Sequence, residues 1–258
     1  MSYINFLALV RYGREAMFRF VKILATSDIH SPHFLPLFIA SLSQVPFNEI
    51  ELVILAGDLV DKGRIEMLKP VIEVLKKHLQ NNDVPIVAVF GNEEYMDREN
   101  AFIERYPEIH WVSDSVLRLQ LRSGIDICIV GSRGVLLRPT KWQSKHIPNI
   151  HEIYRERLKR LRELLRVCRD SCQFVVLVTH YASSFVTVNG EPPSIHQYLG
   201  YPLIEHLGEN EKPHLAIHGH AHNSKVLHAV VNGVPVYNVA LPARKGVTLI
   251  ELSIPTPS

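Results

Sequence analysis

Apolar runs of strand length recur along this chain, and each is followed at once by residues that can offer oxygen or nitrogen to a cation. Ile23–Ala25 leads into Asp28-Ile29-His30, Leu52–Ala56 into Gly57-Asp58, and Ile86–Phe90 into Gly91-Asn92. Phe174–Thr179 leads into His180, and the shorter run Leu215–Ile217 into Gly219-His220-Ala221-His222. Runs without polar interruption predict strands buried on both faces, as in a parallel sheet. Polar side chains placed where such strands end converge on one crevice at the carboxyl edge of the sheet. Two aspartates, one asparagine and four histidines in these segments offer enough donors for two metal ions.

The segments between the runs complete the pattern. Arg64–Leu79 places Ile65, Leu68, Ile72, Leu75 and Leu79 at helical spacing with lysines opposite, which predicts an amphipathic helix. Ile150–Val167 reads as a second helix, with arginine and glutamate outside and leucine inside. Val116–Leu121 and Ile125–Val130 flank Ser123-Gly124, and Lys225–Val231 and Val234–Val239 flank Asn232-Gly233. Both read as hairpins, Asn-Gly being a strong turn signal. Residues 132–148 read as a loop, and Val247–Leu252 as a last strand. Alternating strands and helices first, hairpins later, predict an α/β four-layer sandwich in which helices flank two packed sheets.

Composition adds limits. A chain of 258 residues, 47% apolar, can bury one full core. With 28 basic and 26 acidic residues the net charge is +2, so no overall field favours nucleic acid or membrane. Cys128, Cys168 and Cys172 form no CxxC pair, which fits buried thiols in a reducing, cytoplasmic setting better than a disulfide frame. Ile4–Val10 is far shorter than the ~20 residues of a membrane span, and nothing around it resembles a cleavable leader. Residues 1–16 read as an extension outside the fold, with Met17 an alternative start and 17–258 the domain.

Taken in order, Asp28-x-His30, Gly57-Asp58, Gly91-Asn92, His180 and Gly219-His220-x-His222 resemble the signature of the calcineurin-like metallophosphoesterases. The resemblance spans residues ~22 to ~240 and implies that family's sandwich of helices and mixed sheets. It also implies two divalent ions, which the donor types suit as Mn, Fe, Zn or Ni. Asp28, His30 and His222 would hold one ion, Asn92, His180 and His220 the other, and Asp58 would bridge both. The glycines at 57, 91 and 219 would let the backbone turn so that the next side chain faces the ions. One position departs from the signature: Glu93 stands where the family usually carries a histidine that protonates the leaving group.

The resemblance implies a phosphoesterase in which a metal-bridging hydroxide attacks a phosphodiester or nucleotide-like phosphoester. Asp58, Asn92, Glu93 and His180 are the catalytic candidates, and Asn92 and Arg133 the substrate-binding ones. Arg138, Lys141 and Trp142 form a basic, aromatic loop that could also touch substrate. His218 and Asp61 read as supporting residues, and the other histidines as ordinary ones. A small phosphorylated molecule is the expected partner, with nucleic acid less favoured, no membrane, and self-association left open. The alternatives are a phosphomonoesterase, a nuclease, or a binding scaffold whose site has degraded at Glu93.

Overall fold

The computed structural model describes residues 18–80 and 83–255. The extension expected over residues 1–16, with Met17, lies outside them.

Eleven strands and six α-helices make up the regular structure of the described residues. Residues Phe18–Thr26 form β1, Leu35–Leu42 α1, Ile50–Ala56 β2, Lys69–Leu79 α2, Ile86–Val89 β3, Glu99–Arg105 α3 and Ile109–Trp111 β4. Ser115–Gln120 (β5) and Asp126–Ser132 (β6) follow, then α4 (Lys141–His146), α5 (Ile150–Ser171), β7 (Phe174–Thr179) and β8 (Leu215–His218). His228–Val231 (β9), Val234–Asn238 (β10), α6 (Leu241–Arg244) and β11 (Thr248–Pro255) end the chain.

One sheet has the order β11-β1-β2-β3-β4 and the other β5-β6-β7-β8-β10-β9. β1 to β4 pair in parallel, as do β6, β7, β8 and β10, while β11, β5 and β9 join antiparallel. Strand alternation explains how two sheets share one interior. On β1 and β2, Ile23, Ala25, Leu52 and Ile54 face the second sheet and meet Ile127, Ile129, Val176 and Ile217. Their neighbours Leu24, Val53 and Leu55 face outward and meet Phe38 of α1, Ile72 and Leu75 of α2, and Phe102 of α3. On the far side Val130, Val175 and Leu177 meet Leu161, Leu164 and Leu165 of α5. A period of two that feeds two cores in turn gives the expected four layers.

The differences from expectation are local. The helix expected from Arg64 begins as a 3-10 turn over Ile65–Leu68, and α2 starts at Lys69 with Pro70 in its first turn, where a missing N–H costs nothing. Residues 132–148 are not a plain loop. Thr140 caps α4, accepting from the Gln143 amide while the Gln143 side chain accepts from Thr140 N, a reciprocal box readable in Thr-Lys-Trp-Gln. The cysteines are also corrected. Cys128 and Cys172 are joined, with Cα atoms 5.9 Å apart, and Cys168 stays a free buried thiol. Their 44-residue separation closes because Cys172 caps the end of α5, which lies across β6. The cysteine pattern therefore no longer argues for a reducing compartment.

Among the described residues no helix is long and apolar enough to cross a membrane.

Candidate metal centre

The loops that leave β1, β2, β3, β7 and β8 at their carboxyl ends meet in one place. Asp28 and Asp58 are buried there, with His180 fully enclosed. One oxygen or nitrogen from each of Asp28, His30 and His222 lies within 4.8 Å of the others, and the same holds for Asp28, Asp58, His180 and His220. Asn92 Oδ1 lies 3.2 Å from His180 Nε2. All seven residues expected as ligands are thus brought together. Asp28 belongs to both groups, while Asp58 Oδ2 lies 3.7 Å from His30 Nε2 and 3.2 Å from His180 Nε2.

The backbone is unusual at this point. Asp28, His30, Asp58 and His220 have φ of 56°, 43°, 50° and 69°, a left-handed conformation that costs about 1–2 kcal/mol for a residue with a Cβ. Such strain gathers at functional sites, where surrounding contacts hold it. The turning role expected of three glycines holds only for Gly57, at φ 84°. Gly91 and Gly219 are required by proximity instead. A Cβ at Gly91 would stand 2.1 Å from Asp58 Oδ1, and one at Gly219 2.6 Å from Asp28 Oδ2.

Hydrogen bonds choose which ring nitrogen each histidine presents. His30 Nδ1 lies 3.0 Å from Asp61 Oδ1, and His180 Nδ1 lies 3.0 Å from the Ala56 carbonyl. Each Nδ1 therefore carries a proton, and Nε2 is turned to the carboxylates, the arrangement seen when a carboxylate or carbonyl orients a ligating imidazole. His30 Nε2 is buried with no hydrogen-bond partner. That orphaned nitrogen, set among carboxylates with no thiolate nearby, fits a borderline divalent ion. His218 is committed elsewhere, accepting from Thr187 Oγ1 at 2.6 Å and donating to the Gly219 carbonyl.

The electrostatics point the same way. Burial alone would lower His180, but Asp58 and Asp28 together push it up to about 9. Burial alone would raise Asp28, yet hydrogen bonding to His222 and the charge of His180 hold it well below the usual carboxylate range. Burial takes His220 down to about 4. Two enclosed carboxylates thus demand positive charge at their centre.

The remaining candidates are placed differently. Glu93 Oε2 accepts from Lys62 N at 2.7 Å, and Glu93 N donates to Asp58 Oδ1 at 2.8 Å. Arg133 is buried, its guanidinium 2.5 Å from Glu99. Arg138 and Lys141 are exposed, as is Trp142. The helix that carries Lys141 and Trp142 reaches the site through Gln143, which donates to the Tyr181 hydroxyl, while the Tyr181 ring lies against His220. One residue escaped the sequence reading, and Glu94, which closes the Gly91-Asn92-Glu93-Glu94 segment, had been given no role there. Glu191 accepts from Asn223 N at 2.6 Å, directly after His222, across a gap with no local signal. Glu94 accepts from Asp58 N at 2.9 Å and Gly91 N at 2.7 Å. Burial and the Asp58 charge push Glu94 up to about 7 against those donors.

The sequence profile of the calcineurin-like phosphoesterases matches residues 21–224. The chain belongs to that family. No curated protein matches it. Among solved structures of this fold, the phosphopantetheinyl hydrolase of Mycobacterium tuberculosis is 15% identical at a TM-score of 0.57, over 87% of this chain and 90% of that one. A putative 5'-nucleotidase of Staphylococcus aureus is 14% identical at 0.59, over 93% of this chain but 51% of the larger protein. GAP50 of Plasmodium, described as an anchor in the inner membrane complex, is 13% identical at 0.57, over 90% and 81%. As a calcineurin-like phosphoesterase the chain is a hydrolase of phosphoester bonds, and its Asp/His groups could bind metal.

Proposed function

We propose that this phosphoesterase uses two divalent ions to hydrolyse a small phosphodiester or nucleotide-like phosphoester. The observation that carries the proposal is the meeting of seven donors from five strand-end loops, with His30 Nε2 buried and unpartnered among them. Asp28, His30 and His222 would hold one ion and Asn92, His180 and His220 the other, with Asp58 between. Bound there, Mn, Fe, Zn or Ni ions would activate water and neutralise phosphate charge.

The chain itself supplies placement. Glu93 N donates to Asp58 Oδ1, which leaves Oδ2 toward His30 and His180. Asp61 and the Ala56 carbonyl fix the two imidazoles. Asn92, half-buried at the rim, is placed to orient a phosphate oxygen. Glu93 stands where the family usually carries a histidine, and its Oε2 is taken up by the Lys62 amide, so the family's usual proton donor to a departing alkoxide is not at this position. Substrates whose leaving groups need little protonation, such as aryl diesters and phosphoanhydrides, suit this arrangement. The names of two neighbours, a phosphopantetheinyl hydrolase and a 5'-nucleotidase, support a small phosphorylated substrate.

The Glu93 departure also favours a second reading, a binding scaffold, the class suggested by the neighbour described as an anchor. Seven retained donors weigh against it. The test is a panel of aryl monoester, aryl diester, cyclic nucleotides and nucleotide anhydrides with Mn, Fe, Zn, Ni or Mg. Metal-dependent turnover, highest on the diester or anhydride, is expected. No turnover with any ion would favour the scaffold.

A further inference from the structure

Glu94 is completely enclosed, and an enclosed carboxylate is costly unless its oxygens are satisfied. Among the described residues no lysine, arginine or histidine side chain pairs with it. Its partners are backbone amides of two different loops. Oε1 accepts from Leu59 N at 2.6 Å and Val60 N at 3.2 Å, and Oε2 from Asp58 N at 2.9 Å and Gly91 N at 2.7 Å. One side chain therefore gathers the turn that follows β2 and the turn that follows β3.

The first of those turns contains Gly57 and Asp58, both at positive φ. Left to itself, Asp58 would relax toward a right-handed or extended conformation, moving its carboxylate. The clasp is also reciprocal. While the Glu94 side chain holds the Asp58 backbone, the Glu93 amide holds Asp58 Oδ1. Between them both ends of Asp58 are fixed, and only Oδ2 is left to face His30 and His180.

We infer that Glu94 is a positioning residue that sets the conformation of Asp58 and so the register between the two halves of the ligand cluster. This rests on the proposal that Asp58 is a metal ligand. In Glu94→Gln an NH₂ group replaces one oxygen, so that two of the four amides would face a donor.

Two measurements test it. In the first, Co(II) is titrated into the wild-type full chain and Glu94→Gln, following visible absorption and stoichiometry at a temperature where both are folded. The wild type should take up two ions. Glu94→Gln should lose about 10–100-fold in affinity for at least one, the size seen when a supporting contact is removed, with an altered spectrum. In Asp58→Asn the Glu94 change should add nothing, because its effect runs through Asp58. The control Asp97→Asn, in the same loop but exposed, should match the wild type.

If the wild type takes up ions and Glu94→Gln matches it in affinity and spectrum, or the two losses add, the positioning role is wrong while the metal reading stands. A wild type that takes up no ion overturns both. The second measurement needs no variant. Amide exchange in the metal-free chain should be as slow at Asp58, Leu59, Val60 and Gly91 as within β2, and rapid exchange at these four would overturn the clasp even if Glu94→Gln failed to fold.

Discussion

Asp61 Oδ1 accepts a hydrogen bond from His30 Nδ1 at 3.0 Å, and by doing so it turns the other ring nitrogen toward Asp28 and Asp58. Asp58 and Asp61 are only three residues apart, yet they serve the cluster differently: one enters it and one orients a member of it. Asp58→Ala should abolish metal-dependent turnover and lower occupancy of both ions. Asp61→Ala should cost about 10–100-fold in metal affinity and leave stoichiometry intact. Calorimetric titration with Mn(II) separates the two outcomes.

Glu93 bears on substrate choice. Turnover should be faster on aryl diesters and anhydrides than on an alkyl monoester. Glu93→His should raise activity on the alkyl monoester, since a positioned general acid is typically worth ~10²–10⁴-fold, and change the activated diester little. Steady-state rates of both proteins on both substrates check this, and no gain on the monoester would show that the missing proton donor is not the limit.

Arg133 makes a different kind of prediction. Its guanidinium is 7% exposed and paired with Glu99, and a buried pair that loses one partner leaves a stranded charge. Arg133→Ala should destabilise the fold by about 3–5 kcal/mol in urea denaturation. If the residue also met substrate, KM would rise; the pairing leads us to expect KM unchanged.

His214 should make stability depend on pH. Burial first, and then the charge of Arg169, lower it from 6.5 to about 4, so the folded chain prefers the neutral ring. Between those values the unfolded chain binds more protons. The stabilisation is complete above about pH 6.5 and declines as pH falls toward 4. Melting temperatures of wild type and His214→Asn at pH 7 and pH 5 test this. The drop should be smaller in the variant, whose side chain can still accept from Val175 N, as His214 Nδ1 does.

Much of this was readable in the chain. The five strand-end segments were legible because burial on both faces suppresses alternation, and a polar residue after an apolar run then stands out. The Asn232-Gly233 hairpin was legible because its positive φ values, 49° and 81°, admit few residue types. What stayed hidden depends on contacts distant in sequence. Glu94 closes the third strand-end segment, but its reach to Leu59 across 35 positions, like that of Glu191 to Asn223 across 32, has no local spacing to mark it. The same holds for the joining of Cys128 to Cys172. The short helix α4 was overlooked for a different reason: its six residues give too little periodicity, and only the Thr140 cap announces it.

The donor cluster draws Asp28, His30, Asp58 and Asn92 from the ends of one sheet and His180, His220 and His222 from the ends of the other. Asp28 Oδ2 even accepts the His220 amide across the divide. The cluster therefore works as a rivet through two plates. A slip of one sheet past the other by a single residue, about 3.3 Å, would part the donors while leaving the greasy layer between the plates largely in contact. Alignment of the plates is thus measured most finely at the rivet.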